Sequence, residues 1–352
     1  RLSYADATSR VVVDMLNGAT LGTYAAGDVF LNFEDLEGGE ADDLLLGDNA
    51  DNRIWGGLDA DELQGRFGND TLVGGAGADT LDGGGNSDTA SYRTSPAAVT
   101  VLLFSGVTSG GDAAGDVLRK IDNLIGSAGA DKLSGNFGDN VIEGGAGADV
   151  MNGGAGRDTL SYASDISGVS VSLASGAASG GDATGDVFSA FENAAGGNGD
   201  DDLTGDGGDN HLIGGAGADT LAGGGGQDTL DGGAGADVLD GGSGHDLASY
   251  SGSDIGASVH LGTGAVGCAA ACDSLISIEG LIGSAVGDTL IGDANDNLIE
   301  GGGGADTLDG GEGVDTLSYA GSDTRVVVDL LSLIHISEPT RPFTLSRMPS
   351  SA

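Results

Sequence analysis

Glycine recurs at every ninth residue through long stretches of this chain. It stands at 38, 47, 56, 65, 74 and 83, at 126, 135, 144 and 153, at 196, 205, 214, 223, 232 and 241, and at 283, 292, 301 and 310. The twenty nonapeptides fall into blocks of six, four, six and four, and one of them, from Gly74, reads GGAGADTLD. Position six is always Asp or Asn. Position eight is Leu, Ile or Met, except for Ala90 and Ala248, which each close a six-repeat block. A fixed short period predicts stacked units whose like positions lie above one another. The glycine-rich first six positions give a backbone free to enter φ > 0, and so predict a turn. Positions seven to nine then form a minimal strand with one inward side chain. Stacking sets Leu over Leu and Asp over Asp.

A second unit separates the blocks. It opens with Ser-Tyr at Tyr4, Tyr92, Tyr162, Tyr250 and Tyr319, and continues into alternating apolar runs at Val11, Val99, Val169 and Val326. Gly-Asp turns follow, GGDAAGDVL from Gly110 and GGDATGDVF from Gly180, and then a second apolar stretch such as IDNLIG from Ile121. The chain therefore divides into spacers at 1–37, 92–125, 162–195 and 250–282 and repeat blocks at 38–91, 126–161, 196–249 and 283–318. Alternation of this kind predicts strands with one buried face, which cap or continue the stack. The tyrosines read as packing residues. Asp112, Asp116, Asp182 and Asp186 stand in Gly-rich turns and suit either extra cation sites or solvated turns. The fourth spacer departs from the pattern, with GCAAACDS from Gly267, which weakens any cation site there. Cys268 and Cys272 make no disulfide framework and no metal signature, and no functional role is expected of them.

Charge narrows the chemistry. The formal net charge is −43, and Lys120 and Lys132 are the only lysines. Bulk charge excludes nucleic acid and anionic membranes as partners and points to cations. No apolar run reaches the length of a membrane span. Turn carbonyls plus one carboxylate per repeat make an all-oxygen, flexible ligand set, which suits Ca²⁺ better than Mg²⁺. One buried leucine stabilises by about 1.5–3 kcal/mol, only a fraction of what ordering nine backbones costs. Folding is therefore expected to be coupled to metal binding. The candidate ligands are the position-six carboxylates: Asp43, Asp61, Asp70, Asp79, Asp88, Asp131, Asp149, Asp158, Asp201, Asp219, Asp228, Asp237, Asp246, Asp288, Asp306 and Asp315. Asn52, Asn140, Asn210 and Asn297 occupy the same position in the second repeat of each block, always after an Asp. They offer a weaker, neutral ligand or simply tolerate the turn. No HExxH, GxSxG or GxxxxGK pattern occurs, and no enzymatic activity is expected within this chain.

The pattern GGxGxDxLx resembles the nonapeptide of RTX proteins, the hemolysin-type calcium-binding repeat. The SYxxxxxxVxVxL…GGDAxGD…IxNLxG unit resembles the segments that flank such blocks in secreted RTX proteins. The resemblance implies an all-β fold, a right-handed parallel β-roll with six-residue turns, three-residue strands and two nonapeptides per coil. It implies calcium between each turn and the turn two repeats on, giving about 12 ions over the four blocks. It also implies type I secretion from a Gram-negative cell through an uncleaved C-terminal signal, and an extracellular protein that folds on meeting calcium outside. Two functions fit that picture. One is a structural or adhesive array in a secreted or surface protein, with an unidentified surface or matrix partner. The other is the non-catalytic part of a secreted enzyme such as a metalloprotease, lipase or alginate epimerase.

The ends of the chain carry their own expectations. It begins at Arg1, which suggests a start inside a longer protein. A final spacer opens at 319–330 and then the pattern stops. LSLIHISEPTRPFTLSRMPSSA, from Leu331, has no glycine and three of the four prolines. It resembles an in-frame translation of a sequencing-library adapter, so 331–352 is expected to be non-native.

Overall fold

The computed structural model describes residues 1–267, 273–322 and 325–326. Cys268, Cys272 and the 331–352 tail lie outside the described residues. Contacts divide the chain into two units, 1–193 and 194–352. Each is built from short strands paired mainly in parallel, with no α-helix among the described residues and only three 3₁₀ turns. No helix is long and apolar enough to cross a membrane among those residues.

In the first unit, successive nonapeptides alternate between facing sheets. Leu44–Leu46, Glu62–Phe67 and Thr80–Gly85 pair side by side, as do Arg53–Leu58, Thr71–Ala76 and Thr89–Ser91. The partners are Leu45, Leu63 and Leu81 on one side and Ile54, Leu72 and Ala90 on the other. Each step is eighteen residues, so two nonapeptides make one coil, as the resemblance implies. The second unit repeats the plan, with Leu203, Leu221 and Leu239 in one column and Leu212, Leu230 and Ala248 in the other. These side chains are fully buried and form the core, Ala90 and Ala248 included. Leu308 and Leu317 are half-buried because they lie in the last described coil. The chain is an all-β parallel β-roll.

One expectation needs correction. In the six-repeat blocks the four inner strands are six or seven residues long, as in Thr71–Ala76 and Thr220–Gly226, while the first and last keep three. The extra length comes from the first three or four positions of the following turn, where Gly57 pairs with Gly75 and Gly224 with Gly242. With no Cβ between the coils, the turn backbones approach closely enough to extend the ladder.

The spacers are part of the roll inside each unit. Each begins with a hairpin, for example Thr100–Leu102 against Val107–Ser109, whose first arm lies parallel to the opening strand of the next block, Lys132–Ser134. A 3₁₀ turn follows at Gly111–Ala113. Val117–Arg119 and Asn123–Ile125 then add to the two sheets of the preceding block through Thr80–Gly85 and Thr89–Ser91. The second of these passes directly to Val141–Glu143 of the next block. In unit one the spacer thus carries one sheet straight from block to block, while on the other side Val117–Arg119 closes the first block's sheet and the hairpin starts that of the second.

Candidate metal centre

The position-six side chains all turn into the roll. From Asp43 to Asp288 the aspartates are no more than 3% exposed, and Asn52, Asn140, Asn210 and Asn297 no more than 2%. Asp306 and Asp315 are half-buried, again at the last coil. A buried carboxylate is costly unless it is partnered, and one oxygen of most of these is. Within each block, the N–H of a position-six residue donates to Oδ1 of the position-six residue eighteen further on. Asp43, Asn52, Asp61 and Asp70 donate to Asp61, Asp70, Asp79 and Asp88 at 2.7–2.9 Å. The same rung joins Asp131 to Asp149, Asn140 to Asp158, Asp201 to Asp219, Asn210 to Asp228, Asp219 to Asp237 and Asp228 to Asp246. It also joins Asp288 to Asp306 and Asn297 to Asp315.

The other oxygen is different. Oδ2 of Asp61, Asp70, Asp79, Asp88, Asp149, Asp158, Asp219, Asp228, Asp237 and Asp246 is buried without a hydrogen-bond partner. Each lies against position one of its own repeat, where a Cβ in place of the glycine would collide with it. The position-one carbonyl of the next coil reaches the same spot: Gly83 O at Gly65, Gly232 O at Gly214, Gly241 O at Gly223. The invariant glycine makes room for two convergent oxygens. With the carboxyl ionised neither carries a hydrogen, so the two lack a shared positive partner.

Backbone conformation separates the turns into two kinds. Position two has φ > 0 at 57, 66, 75 and 84, at 145 and 154, at 215, 224, 233 and 242, and at 302 and 311. That is every turn from the third repeat of a block onward, and none of the first two. In the first two repeats the position-two N–H instead closes on its own position-six side chain. Gly39 donates to Asp43 Oδ2 at 2.7 Å, Ser127 to Asp131 at 2.5 Å, Gly197 to Asp201 at 2.7 Å and Ser284 to Asp288 at 2.8 Å. Asp48, Asn136, Asp206 and Asp293 do the same to Asn52, Asn140, Asn210 and Asn297 at 2.7–2.8 Å.

The Asp-Asn pairs follow from this closed geometry. Asn140 Nδ2 donates to Asp122 O at 2.6 Å and Asn297 Nδ2 to Glu279 O at 3.1 Å, a role no carboxylate can fill. The preceding Asp51, Asp139, Asp209 and Asp296 accept the N–H of Asn69, Arg157, Gln227 and Val314 at 2.7–2.8 Å. Both members hold the turn.

Burial, with neighbouring carboxylates adding to it, raises the following orphaned acids against the pull of the accepted N–H. Asp61 is pushed up to about 8, Asp70, Asp79 and Asp149 to about 7, and Asp88, Asp219 and Asp228 to about 6. Burial likewise raises Asp158 and Asp237. Among the described residues no three His, Cys, Asp or Glu side chains gather at one point. A cation in these turns would therefore draw on one or two carboxylates and otherwise on backbone carbonyls, a hard oxygen set of the kind calcium takes.

The spacers carry the same ladder in residues that sequence reasoning missed or read differently. Asp79 N–H donates to Asp116 Oδ1 at 2.9 Å, Asp149 to Asp186 at 2.8 Å and Asp237 to Asp273 at 3.1 Å. On the opposite side Asp88 donates to Asp122 at 3.0 Å, Asp158 to Glu192 at 2.8 Å and Asp246 to Glu279 at 3.0 Å. Asp116 and Asp186 were expected as extra cation sites or solvated turns. They are buried, and their second oxygen accepts the phenol O–H of Tyr92 and Tyr162, each at 2.9 Å. The tyrosines pack, as expected, but their hydroxyls also bond. The available signal was the constant distance of 24 residues from Tyr4, Tyr92 and Tyr162 to the Asp of the GDV that follows each.

Comparison with known proteins agrees with this geometry. The family model for the RTX calcium-binding nonapeptide repeat (4 copies) matches residues 33–63, 55–90, 125–160, 195–230, 213–248 and 282–317, together just over half of the chain. No curated protein matches the chain. With twenty nonapeptides in register, paired coils and the family model over all four blocks, the chain belongs to the RTX calcium-binding nonapeptide repeat family.

Proposed function

We propose that the chain is an array that folds on binding calcium, with one ion for each turn whose position two has φ > 0, about 12 in all. The observation that carries this reading is the row of ten buried, unpartnered Oδ2 atoms facing position-one glycines. The ligand set then narrows to Asp61, Asp70, Asp79, Asp88, Asp149, Asp158, Asp219, Asp228, Asp237, Asp246, Asp306 and Asp315. Asp43, Asp131, Asp201 and Asp288 close their turns on backbone N–H instead. The four asparagines act the same way, as turn-holding residues.

Bound calcium would supply positive charge between convergent oxygens; the chain supplies the spacing. Extracellular calcium is abundant and cytosolic calcium scarce, so such a chain stays unfolded during export and folds outside. A structural or adhesive role in a secreted or surface protein fits the four regular blocks. Far-UV circular dichroism in chelator and in millimolar calcium tests the reading. The expected result is a disordered spectrum in chelator and a β spectrum after calcium addition. A β spectrum at neutral pH in chelator would refute it.

A further inference from the structure

We propose that the tyrosine opening each spacer is a built-in substitute for the cation, and that the spacer turn it closes takes no ion. This rests on the calcium reading above and extends it to turns that the repeat pattern leaves out. Asp116 Oδ1 accepts the N–H of Asp79, as a position-six aspartate of the next coil would. Asp186 does so for Asp149, and Asp273 for Asp237. By that equivalence their Oδ2 is the atom left over in a repeat turn. In ten repeat turns it has no partner. In the spacers a phenol hydroxyl donates to it: Tyr92 to Asp116 and Tyr162 to Asp186 at 2.9 Å, and Tyr250 to Asp273 at 3.2 Å. Tyr4 makes the same bond to Asp28 at 2.9 Å.

The separation is 24 residues in three spacers and 23 in the fourth, which is one residue shorter. The pair thus survives the loss of the turn glycines in GCAAACDS. Tyr92 and Tyr162 are 2% and 1% exposed, so the bond forms away from water. A hydrogen bond to an ionised acceptor is about twice as strong as a neutral one and satisfies a buried carboxylate without a metal. Burial and the facing carboxylate push both phenols up, which keeps each a donor.

The test uses the full chain and calcium alone. Bound calcium is counted by equilibrium dialysis with elemental analysis, and melting is followed at saturating calcium. Asp79→Asn, in a repeat turn, is expected to lose about one ion. Asp116→Asn is expected to keep the full count, because the amide oxygen still accepts the Asp79 N–H and the turn holds no ion. Tyr92→Phe strands a buried carboxylate and is expected to melt about 4–8 °C lower. Adding Tyr92→Phe to Asp116→Asn is expected to cost less than about 2 °C, since no charge remains to strand. Loss of an ion in Asp116→Asn, or unchanged melting in Tyr92→Phe, overturns the proposal. A wild-type chain that takes up no calcium overturns the calcium reading and this proposal together. Normal uptake, with loss on Asp116→Asn, overturns this proposal alone.

Discussion

Glycine at position one does more than loosen the chain. At Gly65 the volume of a methyl group is taken by Asp70 Oδ2 and the carbonyl of Gly83. Gly65→Ala should therefore force these oxygens apart and remove about one calcium from the first block, with a clear drop in melting temperature. Gly207→Ala is the matched control, because nothing lies within reach of a Cβ there. An exposed substitution of that kind stays within about 0.5 kcal/mol. Equal ion counts in the two variants would show that position one is not a ligand cradle. The two kinds of turn were also partly legible at this scale. Six of the eight closed turns carry Ser, Asp or Asn at position two: 48, 127, 136, 206, 284 and 293. Eleven of the twelve turns with φ > 0 carry glycine, Arg66 being the exception. Gly39 and Gly197 hide the rule, since glycine enters either region freely. Arg66 is held at φ 85 with its guanidinium on Asp14, at 2.8 and 3.0 Å, and on the Gly47 carbonyl.

Among the elements, the coil rather than the nonapeptide is the unit of construction. Every lateral pairing in the first block steps by eighteen residues, and all four blocks hold an even number of repeats. Deleting residues 56–73 removes one coil and leaves every remaining rung facing a like rung. That variant should fold cooperatively with calcium and bind about two ions fewer. Deleting residues 56–64 removes half a coil and sends every later strand of the block to the opposite sheet. The spacer acids Asp116 and Asp122 would then meet the wrong rungs, and calcium-induced β structure should be largely lost. Circular dichroism titrations of the two deletions decide the matter, and similar behaviour would count against the two-per-coil register. Periodicity made this architecture legible, because one inward residue in nine fixes both the register and the core. The spacer ladder was not legible in the same way. Its rungs join Asp79 to Asp116 and Asp88 to Asp122, separations of 37 and 34 residues that match no period.

For the whole molecule, the problem is burying so many carboxylates in a chain of net charge −43. About 12 calcium ions would carry about +24, which offsets more than half of it. Protons are the other cation available, and the raised acids define how they act. An unfolded aspartate titrates near 3.9. Asp61 in the roll is pushed up to about 8, Asp79 and Asp149 to about 7, and Asp88 and Asp228 to about 6. The metal-free roll then binds more protons than the unfolded chain between about pH 4 and 8, and its stability falls as pH rises through that window. Below the unfolded value the contribution is fully present; above about 8 it is gone. In chelator, β structure should therefore appear as the pH is lowered from 8 to 5 and vanish on return. For calcium uptake the order reverses: ion and proton compete for the same Oδ2 atoms, so more calcium is needed to load the roll at pH 5.5 than at 7.5. Circular dichroism in chelator across this range reads the first trend, and equilibrium dialysis against calcium reads the second. If β content in chelator were independent of pH, the buried carboxylates could not be what makes this fold depend on a cation.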